Sequence, residues 1–393
     1  MNTPNPKIQR IDNPSSHFLV SSSKKIHGWF NWERRECTSE RFLLNPYNGC
    51  GIGCFYCYTR ALPGYFQRFQ GKGEIFVFKD FDKQVSKQID SLDIGFCGYL
   101  SPVTDPFQPL EKACNLSVKT IKAFIDRGLP VEFITKAVVP DEVFPLLACQ
   151  EHSFGQVSII TEDVKLNRVL HPKAASPDLL FGNIKKLSRY GIYSVCRVDP
   201  ILPFLTDSKE SLRRLVIKAK ECGARHIIAS VADIPPKLKG YFLSKIKNLF
   251  GLDVMRKYIN LYTDRIGYLH AKASYRKEIF SFLREEVFNA GMTFSLCMEY
   301  EKRGDEITGL NREFSTSENC EGINVPIYKR KGNRFYPQKG CKGNCLNCRT
   351  PLCGIDELAY AQTGNPLSLK YSDYRRFSKS QKTEGDFLVD NVK

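Results

Sequence analysis

Three cysteines lie close together early in the sequence, within the segment NPYNGCGIGCFYCYTR at residues 45–60. They are Cys50, Cys54 and Cys57, and their spacing is Cys-x3-Cys-x2-Cys. Thiolates bind zinc, cuprous copper and iron–sulfur clusters. A structural zinc ion usually takes four protein ligands, and a four-iron cluster also has four corners to fill. Three local thiolates therefore leave one metal position open for a reacting ligand, the alternatives being a zinc knuckle or free thiols in a turn.

Four more cysteines follow near the end of the sequence, in GCKGNCLNCRTPLCG. They are Cys341, Cys345, Cys348 and Cys353. A zinc knuckle usually separates two cysteine pairs by a longer loop, so this dense spacing favours a second 4Fe–4S cluster, with zinc or unmetallated thiols as alternatives. Cys320, in STSENCEG, is an alternative to Cys353 as the fourth ligand. Such a centre could relay electrons or order the C-terminal segment.

The composition is that of a basic globular protein. Of 393 residues, 58 are Lys or Arg and 42 are Asp or Glu, so the formal net charge is +16. This excess favours nucleic acid as a partner, although a generally basic surface would carry the same charge. The sequence has no run of about 18 apolar residues, so we expect no membrane-spanning helix. Its N-terminal segment lacks an apolar core, so we expect no secretory signal. With 15 cysteines and no such signal, we expect a cytoplasmic protein without a disulfide framework.

Short apolar strands alternate with helices between the two cysteine groups. Strands are predicted at 41–44, 94–100, 131–135, 156–161, 194–198 and 226–230, with helices between them at 81–91, 116–127, 141–149, 179–190 and 208–222. This repeated unit indicates a parallel sheet of βα units. We therefore predict an α/β fold, a partial (β/α)6 barrel, with a further βα unit ending near residue 298 and a C-terminal cysteine-rich extension.

The same pattern divides the chain into four parts. Residues 1–38 are predicted to be a polar lead that begins as a short disordered segment, and residues 39–300 to be the partial barrel with its βα addition. Residues 301–367 form the cysteine-rich C-terminal module, and residues 368–393 form a polar, disordered tail.

Polar residues follow the predicted strands at their C-terminal ends, where the working residues of βα barrels gather. This edge is predicted to carry hydroxyls, carboxylates and one lysine: Thr104, Asp105, Thr135, Lys136, Ser158, Thr161, Asp199, Ser230 and Asp233. Together these groups could bind a zwitterionic amino acid and a ribose. Taken one at a time, each could instead cap a helix or stabilise a turn.

The first cysteine motif, with Tyr56 just before its last cysteine, resembles the signature of the radical S-adenosylmethionine (SAM) superfamily. The resemblance implies a 4Fe–4S cluster on Cys50, Cys54 and Cys57, whose open iron chelates the amino and carboxylate groups of SAM. An electron from the cluster then breaks a C–S bond, and the resulting 5′-deoxyadenosyl radical abstracts a hydrogen atom. It also implies an electron donor such as a flavodoxin or ferredoxin.

Further motifs are similar, in order and spacing, to the spore photoproduct lyase-like family of radical SAM enzymes, often described as DNA-repair photolyases. They are NPYNGC, CFYCYTR, VTDPFQPLEK, ITKA, VSIIT, LHPKAASP and RVDPILPFLTD, and they span residues 44–233. The resemblance implies that Thr104, beside Asp105, and Lys136 and Ser158 contact the methionine group. It also implies that Tyr56 packs on the adenine. These five residues are the predicted SAM site.

The chain departs from that family at two places. Pro102 stands where spore photoproduct lyase has a cysteine that returns a hydrogen atom to the product radical. His171-Pro172 stands where the family tends to have Glu-Pro. The radical-generating machinery is therefore predicted, and cleavage of the thymine photoproduct is not. The nearest cysteine, Cys97, lies inside a predicted strand and is expected to be a core residue.

The favoured function is thus a radical SAM enzyme that acts on nucleic acid. A base would have to leave the duplex to reach the barrel, so an exposed aromatic at the rim, such as Phe107 or Phe204, could stack on it. One alternative is a radical modifier of a peptide or small metabolite, with the second cluster near the substrate. Another is a non-catalytic nucleic-acid-binding protein with zinc in both cysteine groups.

Overall fold

The computed structural model describes residues 8–12, 16–21, 41–62, 73–345 and 348–354. Its strands, in chain order, are β1 (Ile8–Ile11), β2 (His17–Ser21), β3 (Arg41–Leu44), β4 (Tyr47–Asn48), β5 (Ile75–Lys79), β6 (Ile94–Gly95), β7 (Cys97–Leu100), β8 (Val131–Thr135), β9 (Phe154–Ser158), β10 (Tyr193–Ile201), β11 (His226–Val231), β12 (Asp264–Ile266), β13 (Tyr268–His270), β14 (Thr293–Leu296), β15 (Tyr300–Arg303), β16 (Glu306–Gly309), β17 (Tyr328–Lys331) and β18 (Arg334–Pro337).

The helices of the described residues all lie after the first cysteine group. They are α1 (Phe81–Asp90), α2 (Glu111–Cys114), α3 (Leu116–Ile125), α4 (Val143–Ala148), α5 (Val164–Leu170), α6 (Pro177–Arg189), α7 (Lys209–Glu221), α8 (Lys239–Phe250), α9 (Leu252–Leu261), α10 (Ala273–Asn289) and α11 (Asn311–Phe314). Two short 3-10 helices lie at Tyr58–Ala61 and Pro236–Leu238.

Seven parallel strands form the central sheet, in the order β14-β11-β10-β9-β8-β7-β3. The six predicted strands occupy six consecutive places, and β14 is the strand of the predicted βα addition. Helices α3, α6 and α7 each end in a turn that contains a glycine with a positive φ, of 77° at Gly128, 70° at Gly191 and 94° at Gly223. Such a turn lets the chain leave the helix and enter the next parallel strand at once. The predicted α/β fold with a parallel sheet is confirmed.

The sheet is strongly curved, as two adjacent residues of the C-terminal segment reveal. The main-chain oxygen of Cys320 accepts hydrogen bonds from His226 on β11 and Ser295 on β14. The carboxylate of Glu321 contacts the Arg41 guanidinium on β3, at the other edge of the sheet, at 2.8 Å. Seven flat strands would hold those edges about 29 Å apart, whereas adjacent Cα atoms are about 3.8 Å apart. The two edges therefore approach each other, and this segment bridges the gap between them.

A chain of buried polar contacts crosses the inner face of the curved sheet. Arg41 bonds to Glu132 at 2.6 Å, and Gln156 donates to the other oxygen of Glu132 at 2.8 Å. Gln156 also accepts from Arg197 at 2.9 Å, and Arg197 pairs with Asp199, which lies near the end of β10. Burial and the nearby Glu321 raise the pKa of Glu132, and Arg41 opposes that shift. The pairing therefore offsets the cost of burying these charges.

The ends of the chain depart from the sequence prediction. Strands β1 and β2 pair with each other and join β5 and β4 in a separate four-stranded sheet. The prediction of a disordered start is therefore wrong for residues 8–11, where β1 lies. The predicted cysteine-rich module begins with regular structure, because residues 300–337 contain the hairpins β15-β16 and β17-β18. The predicted tail at residues 368–393 lies outside the described residues.

Within the described ranges, no helix is both long enough and apolar enough to cross a membrane.

The pairing of Arg41 yields a test of stability. We expect Arg41→Met to lower the free energy of unfolding by about 3–5 kcal/mol, because it leaves the Glu132 and Glu321 carboxyls buried without their cation. The loss should shrink at acidic pH, because the pKa of the Glu132 carboxyl is raised and protonation then removes its buried charge. Urea unfolding followed by circular dichroism would measure it. Arg10→Met, which breaks an exposed pair with Asp12, is the control and should change little. Equal losses in both variants would contradict the interpretation.

Candidate functional site

The first cysteine loop begins where β3 ends, and it is held by a side chain from the loop after β7. Gln108 is fully buried. Its Oε1 accepts a hydrogen bond from the amide of Gly51 at 2.8 Å, and its Nε2 donates to the carbonyl of Gly49 at 3.2 Å. Gly49 and Gly53 have positive φ angles of 101° and 84°, which glycine adopts without steric cost. Sequence reasoning missed Gln108, because no local pattern shows that it contacts residues so far back in the chain.

The three thiols of this loop are partly buried and lie close enough to affect one another electrostatically. Burial raises the pKa of Cys50, and Asp105 and Cys54 raise it further. Burial also raises the pKa of Cys54 to about 12, although the Lys136 cation opposes the shift. Buried thiolates need a compensating positive charge, and a bound metal supplies it. This donor set therefore fits a metal centre.

Among the described residues, no group of three or more His, Cys, Asp or Glu side chains is arranged to hold a metal ion. The number of thiols in this loop still bears on the kind of centre it could hold. Three thiols are one fewer than the ligands of a structural zinc ion, and they would leave one corner of a four-iron cluster open.

Asp105 organises the end of β8. Its Oδ1 accepts from the Thr135 hydroxyl at 2.8 Å and from the Phe107 amide at 2.9 Å, and its Oδ2 accepts from the Lys136 amide at 2.7 Å. Burial raises the pKa of this carboxyl, and these hydrogen bonds oppose the rise. With both oxygens bonded, Asp105 positions Lys136 in this structure; direct contact between Asp105 and SAM stays a prediction.

Lys136 and Ser158 come together at the ends of neighbouring strands. The Lys136 ammonium donates to the Ser158 hydroxyl at 2.8 Å and to the main-chain oxygen of Asp199 at 3.4 Å. The Ser158 hydroxyl lies 3.2 Å from that same oxygen. The sequence predicted both residues at the C-terminal edge of the sheet, and they are in direct contact there. A cation and a hydroxyl at this place could bind a carboxylate.

Two hydroxyls close to Asp105 in the sequence have no hydrogen-bond partner in the described part of the chain. They are the buried Oγ1 of Thr104 and Oγ of Ser101, both in the turn that follows β7. Ser101 also has a φ of 55°, which is uncommon outside glycine. Buried polar groups are nearly always satisfied, so these two hydroxyls indicate a place for a polar ligand. The predicted SAM residue Thr104 fits a cofactor in this respect.

Tyr56 is fixed by a chain of side-chain hydrogen bonds. Burial, followed by the Lys136 cation, lowers the pKa of His171 well below its usual value, so the imidazole is neutral. Its Nδ1 donates to Oδ1 of Asn167 at 2.9 Å, which leaves Nε2 to accept from the Tyr56 hydroxyl. Sequence analysis noted His171 only as a departure from the family. Its contact with Tyr56 gives this residue a local role in orienting the aromatic ring.

Further residues on the inner face were not predicted. Cys297 follows β14 directly, two residues beyond Ser295 and therefore on the same face of the sheet. Burial alone would lower the pKa of the Arg197 guanidinium, but Cys297, Asp199 and Tyr99 together raise it. The Cys297 thiol and the Tyr99 phenol thus lie near the buried Arg197 guanidinium. Both groups carry a hydrogen that can be transferred as an atom. The only sequence signal was the two-residue alternation in residues 293–297.

Comparisons with known proteins give the following relationships. No family model matches the chain. A radical SAM Nalpha-GlyT isomerase of Pseudomonas phage M6 is 27% identical over 395 residues, which cover 94% of this chain and 80% of the relative. An uncharacterized protein of Mycobacterium tuberculosis (strain ATCC 25618 / H37Rv) is 26% identical over 217 residues, or 52% of this chain and 62% of that protein.

The fold comparison agrees with the sequence comparison. A mutant spore photoproduct lyase with bound AdoMet and dinucleoside spore photoproduct aligns over 71% of this chain and 81% of its own, with a TM-score of 0.52 and 16% identity. A spore photoproduct lyase complexed with dinucleoside spore photoproduct aligns over the same shares, with a TM-score of 0.52 and 15% identity. The predicted resemblance to radical SAM enzymes is therefore confirmed, at the level of fold for the lyase and over nearly the whole sequence for the isomerase.

Replacing Thr104 should raise the stability of the chain and weaken its binding of SAM. Thr104→Val should raise the free energy of unfolding of the metal-free chain by about 1 kcal/mol, since it removes an unsatisfied buried hydroxyl. The same variant should bind SAM more weakly after anaerobic cluster reconstitution, as measured by equilibrium dialysis. Thr120→Val is a matched control, because the Thr120 hydroxyl donates to Leu116 at 2.7 Å. Thr120→Val should lose stability and keep its affinity for SAM. If Thr104→Val instead lost stability and kept its affinity for SAM, Thr104 would not belong to the site.

Proposed function

We propose that this chain, an enzyme homologous to radical SAM enzymes, abstracts a hydrogen atom from a nucleic-acid substrate bound at the C-terminal edge of its sheet. Cys50, Cys54 and Cys57 would hold a 4Fe–4S cluster with one open iron. When bound, the cluster and SAM supply a carbon radical that removes the hydrogen atom. The chain contributes binding, orientation and exclusion of water.

The SAM site follows from the polar contacts at the strand ends. Lys136, with Ser158 beside it, would bind the methionine carboxylate, and the unpaired Thr104 hydroxyl would complete the contacts to the methionine group. Tyr56, with its hydroxyl bonded to His171, would present its ring to the adenine. Asp105 would keep Lys136 in position through the Lys136 amide. Each of these assignments is part of the proposal.

Phe204 is the observation that carries the choice of nucleic acid. It lies in the turn just beyond β10, 40% exposed, with a φ of 64°. A bulky residue in the left-handed region costs free energy, and such conformations persist where the surrounding structure imposes them, often at functional sites. Phe204 packs edge-on against Tyr258, and the ammonium of Lys257 lies 5.7 Å from the centre of its ring. An exposed ring beside a cation suits base stacking combined with phosphate contact.

The other rim aromatic suggested by the sequence does not suit that role. Phe107 is 5% exposed, and its ring packs edge-on against Phe133 at 5.0 Å between centroids. It is therefore a core residue. Phe204 remains as the exposed member of the pair.

Basic residues near the first cysteine loop add to the proposed interface. Arg60, three residues after Cys57, lies over the ring of Tyr241 at 5.6 Å, and Lys245 lies 5.8 Å from the same ring. The sequence has two further basic runs, at residues 329–334 and 375–382. The first lies elsewhere, because its strand β17 pairs with β6 just before β7. The second lies outside the described residues.

The relative's name supports an isomerisation more than a cleavage. The phage protein is a radical SAM Nalpha-GlyT isomerase and aligns over nearly all of this chain, whereas the lyases resemble it in fold at 15–16% identity. Pro102, in place of the lyase cysteine, points the same way. A peptide or small metabolite as substrate is the second candidate, but the contacts around Phe204 give it no particular support. Binding to a polyanion, which weakens as salt increases, distinguishes the two.

The radical chemistry can be tested with the reconstituted protein. Anaerobic loading with iron and sulfide, followed by dithionite and SAM, should yield 5′-deoxyadenosine. Cys54→Ala should abolish this product, because it removes one of the three cluster ligands. Cys149→Ala, at an exposed cysteine outside both groups, should retain it. Product formation by Cys54→Ala at the unchanged rate would end the proposal.

Phe204 provides the test of the substrate class. Fluorescence anisotropy with a single-stranded oligonucleotide should give a dissociation constant that rises steeply with salt. Phe204→Ala should weaken binding by about 1–3 kcal/mol, the usual contribution of one stacked base. Phe288→Ala is the matched control, since that ring is 73% exposed on α10. Salt-independent binding, or equal effects of both substitutions, would favour the peptide or metabolite alternative.

A further inference from the structure

The four cysteines of the C-terminal group line one cavity. Its volume is about 580 Å³, and its walls include Cys341, Cys345, Cys348 and Cys353. The sequence left open whether Cys320 or Cys353 is the fourth member of this set. Cys320 is not among the cavity-lining residues, and its carbonyl bonds to His226 and Ser295 on the central sheet. The structure therefore groups Cys353 with the other three.

This cavity lies at the end of the sheet opposite the first cysteine loop. The segment 318–325, which we term the plug, contacts the residues that begin strands: Glu321 reaches Arg41, and the Gly322 carbonyl accepts from the Tyr193 hydroxyl at 2.7 Å. The first cysteine loop follows the C-terminal end of β3 instead. Strand β3 has four residues and is about 13 Å long, and its length separates the Arg41 end from the first cysteine loop.

The second cysteine loop is fastened onto the plug by side chains and by close backbone packing. Lys342 pairs with Glu318 at 2.5 Å, and the Asn344 amide donates to the Glu318 carbonyl at 3.1 Å. A Cβ atom at Gly343 would lie 1.7 Å from the main-chain oxygen of Val325, so only glycine fits there. Any group that fixes the four thiols therefore also fixes the plug.

We infer that Cys341, Cys345, Cys348 and Cys353 bind a second 4Fe–4S cluster that has a thiolate on every iron and serves a structural role. Four thiolates leave no open iron for a substrate. The position at the N-terminal ends of the strands keeps this cluster away from the proposed SAM site. Its function is to hold the plug across the gap between the sheet edges, so that Glu321 stays paired with Arg41. The inferred structural cluster therefore differs from the alternative considered from the sequence, in which the second cluster lies near the substrate.

A cluster is favoured over zinc by the dense spacing of these four thiols, which share one cavity. A zinc knuckle usually separates two cysteine pairs by a longer loop, whereas these four lie within residues 341–353. The Cys-x3-Cys-x2-Cys spacing of the first three members also repeats that of the first loop.

Metal analysis of the full chain, purified without oxygen, tests the site independently of activity. The wild type should hold about eight irons per chain, and Cys348→Ala, at a partly exposed member, should hold about four. Cys320→Ala should keep about eight. One zinc per chain that Cys348→Ala removes, or iron loss in Cys320→Ala equal to that in Cys348→Ala, would overturn the assignment.

The structural role has its own measurement, which also separates it from the proposed activity. Hydrogen exchange in residues 318–325 should be at least tenfold faster in Cys348→Ala than in the wild type. Cys54→Ala should lose the first cluster and leave exchange of the plug unchanged. Unchanged exchange in Cys348→Ala, with its iron halved, would refute the structural role. Failure of the wild type to form 5′-deoxyadenosine while Cys54→Ala holds four irons would refute the proposed function alone.

Discussion

The contact between Arg41 and the two carboxylates of Glu132 and Glu321 is the interaction on which the rest of this structure depends. It joins the edge strand β3, a central strand and the plug at one buried point. Buried charges of this kind are costly unless they are paired, and Arg41 is the cation that both carboxylates share. The opposite end of β3 leads directly into the first cysteine loop. The same strand therefore contacts the plug at one end and leads to the proposed chemistry at the other.

The division of labour between the ends of the sheet follows from parallel strands. All C-terminal ends meet at one edge, so Lys136, Ser158 and Asp199 come together although each belongs to a different strand. The N-terminal ends meet at the other edge, where the plug and the second cysteine group lie. One motif spacing thus occurs twice in the chain with two proposed outcomes. In these proposals, three thiols at the first edge would leave an iron open, and four at the second would leave none.

The sequence predicted the strands and the C-terminal rim well, because buried parallel strands are short apolar runs and their ends are marked by polar residues. Strand β8 was predicted with its observed bounds. Contacts between distant segments could not be predicted, because they have no local sequence signature. Examples are the contacts of Gln108 with Gly51, Tyr56 with His171 and Glu321 with Arg41. Strand β1 was missed because its segment is polar and flanked by Pro and Asn, which suggest disorder. Asp105 was predicted at the right place, while its positioning role depends on hydrogen-bond geometry that only the fold defines.

The long separation between the plug and its partner affects how the chain reaches its native state. Glu321 and Arg41 are 280 residues apart, so the contact between the plug and the β3 edge joins two parts of the chain that are synthesised at very different times. On the ribosome, β3 and its neighbours emerge long before the plug, so Arg41 cannot pair with Glu321 until the plug has been synthesised. Such non-local contacts slow folding, because loop closure must precede the favourable interaction. Chains that stop before residue 320 are therefore expected to expose an open sheet edge and to be recognised by chaperones and proteases.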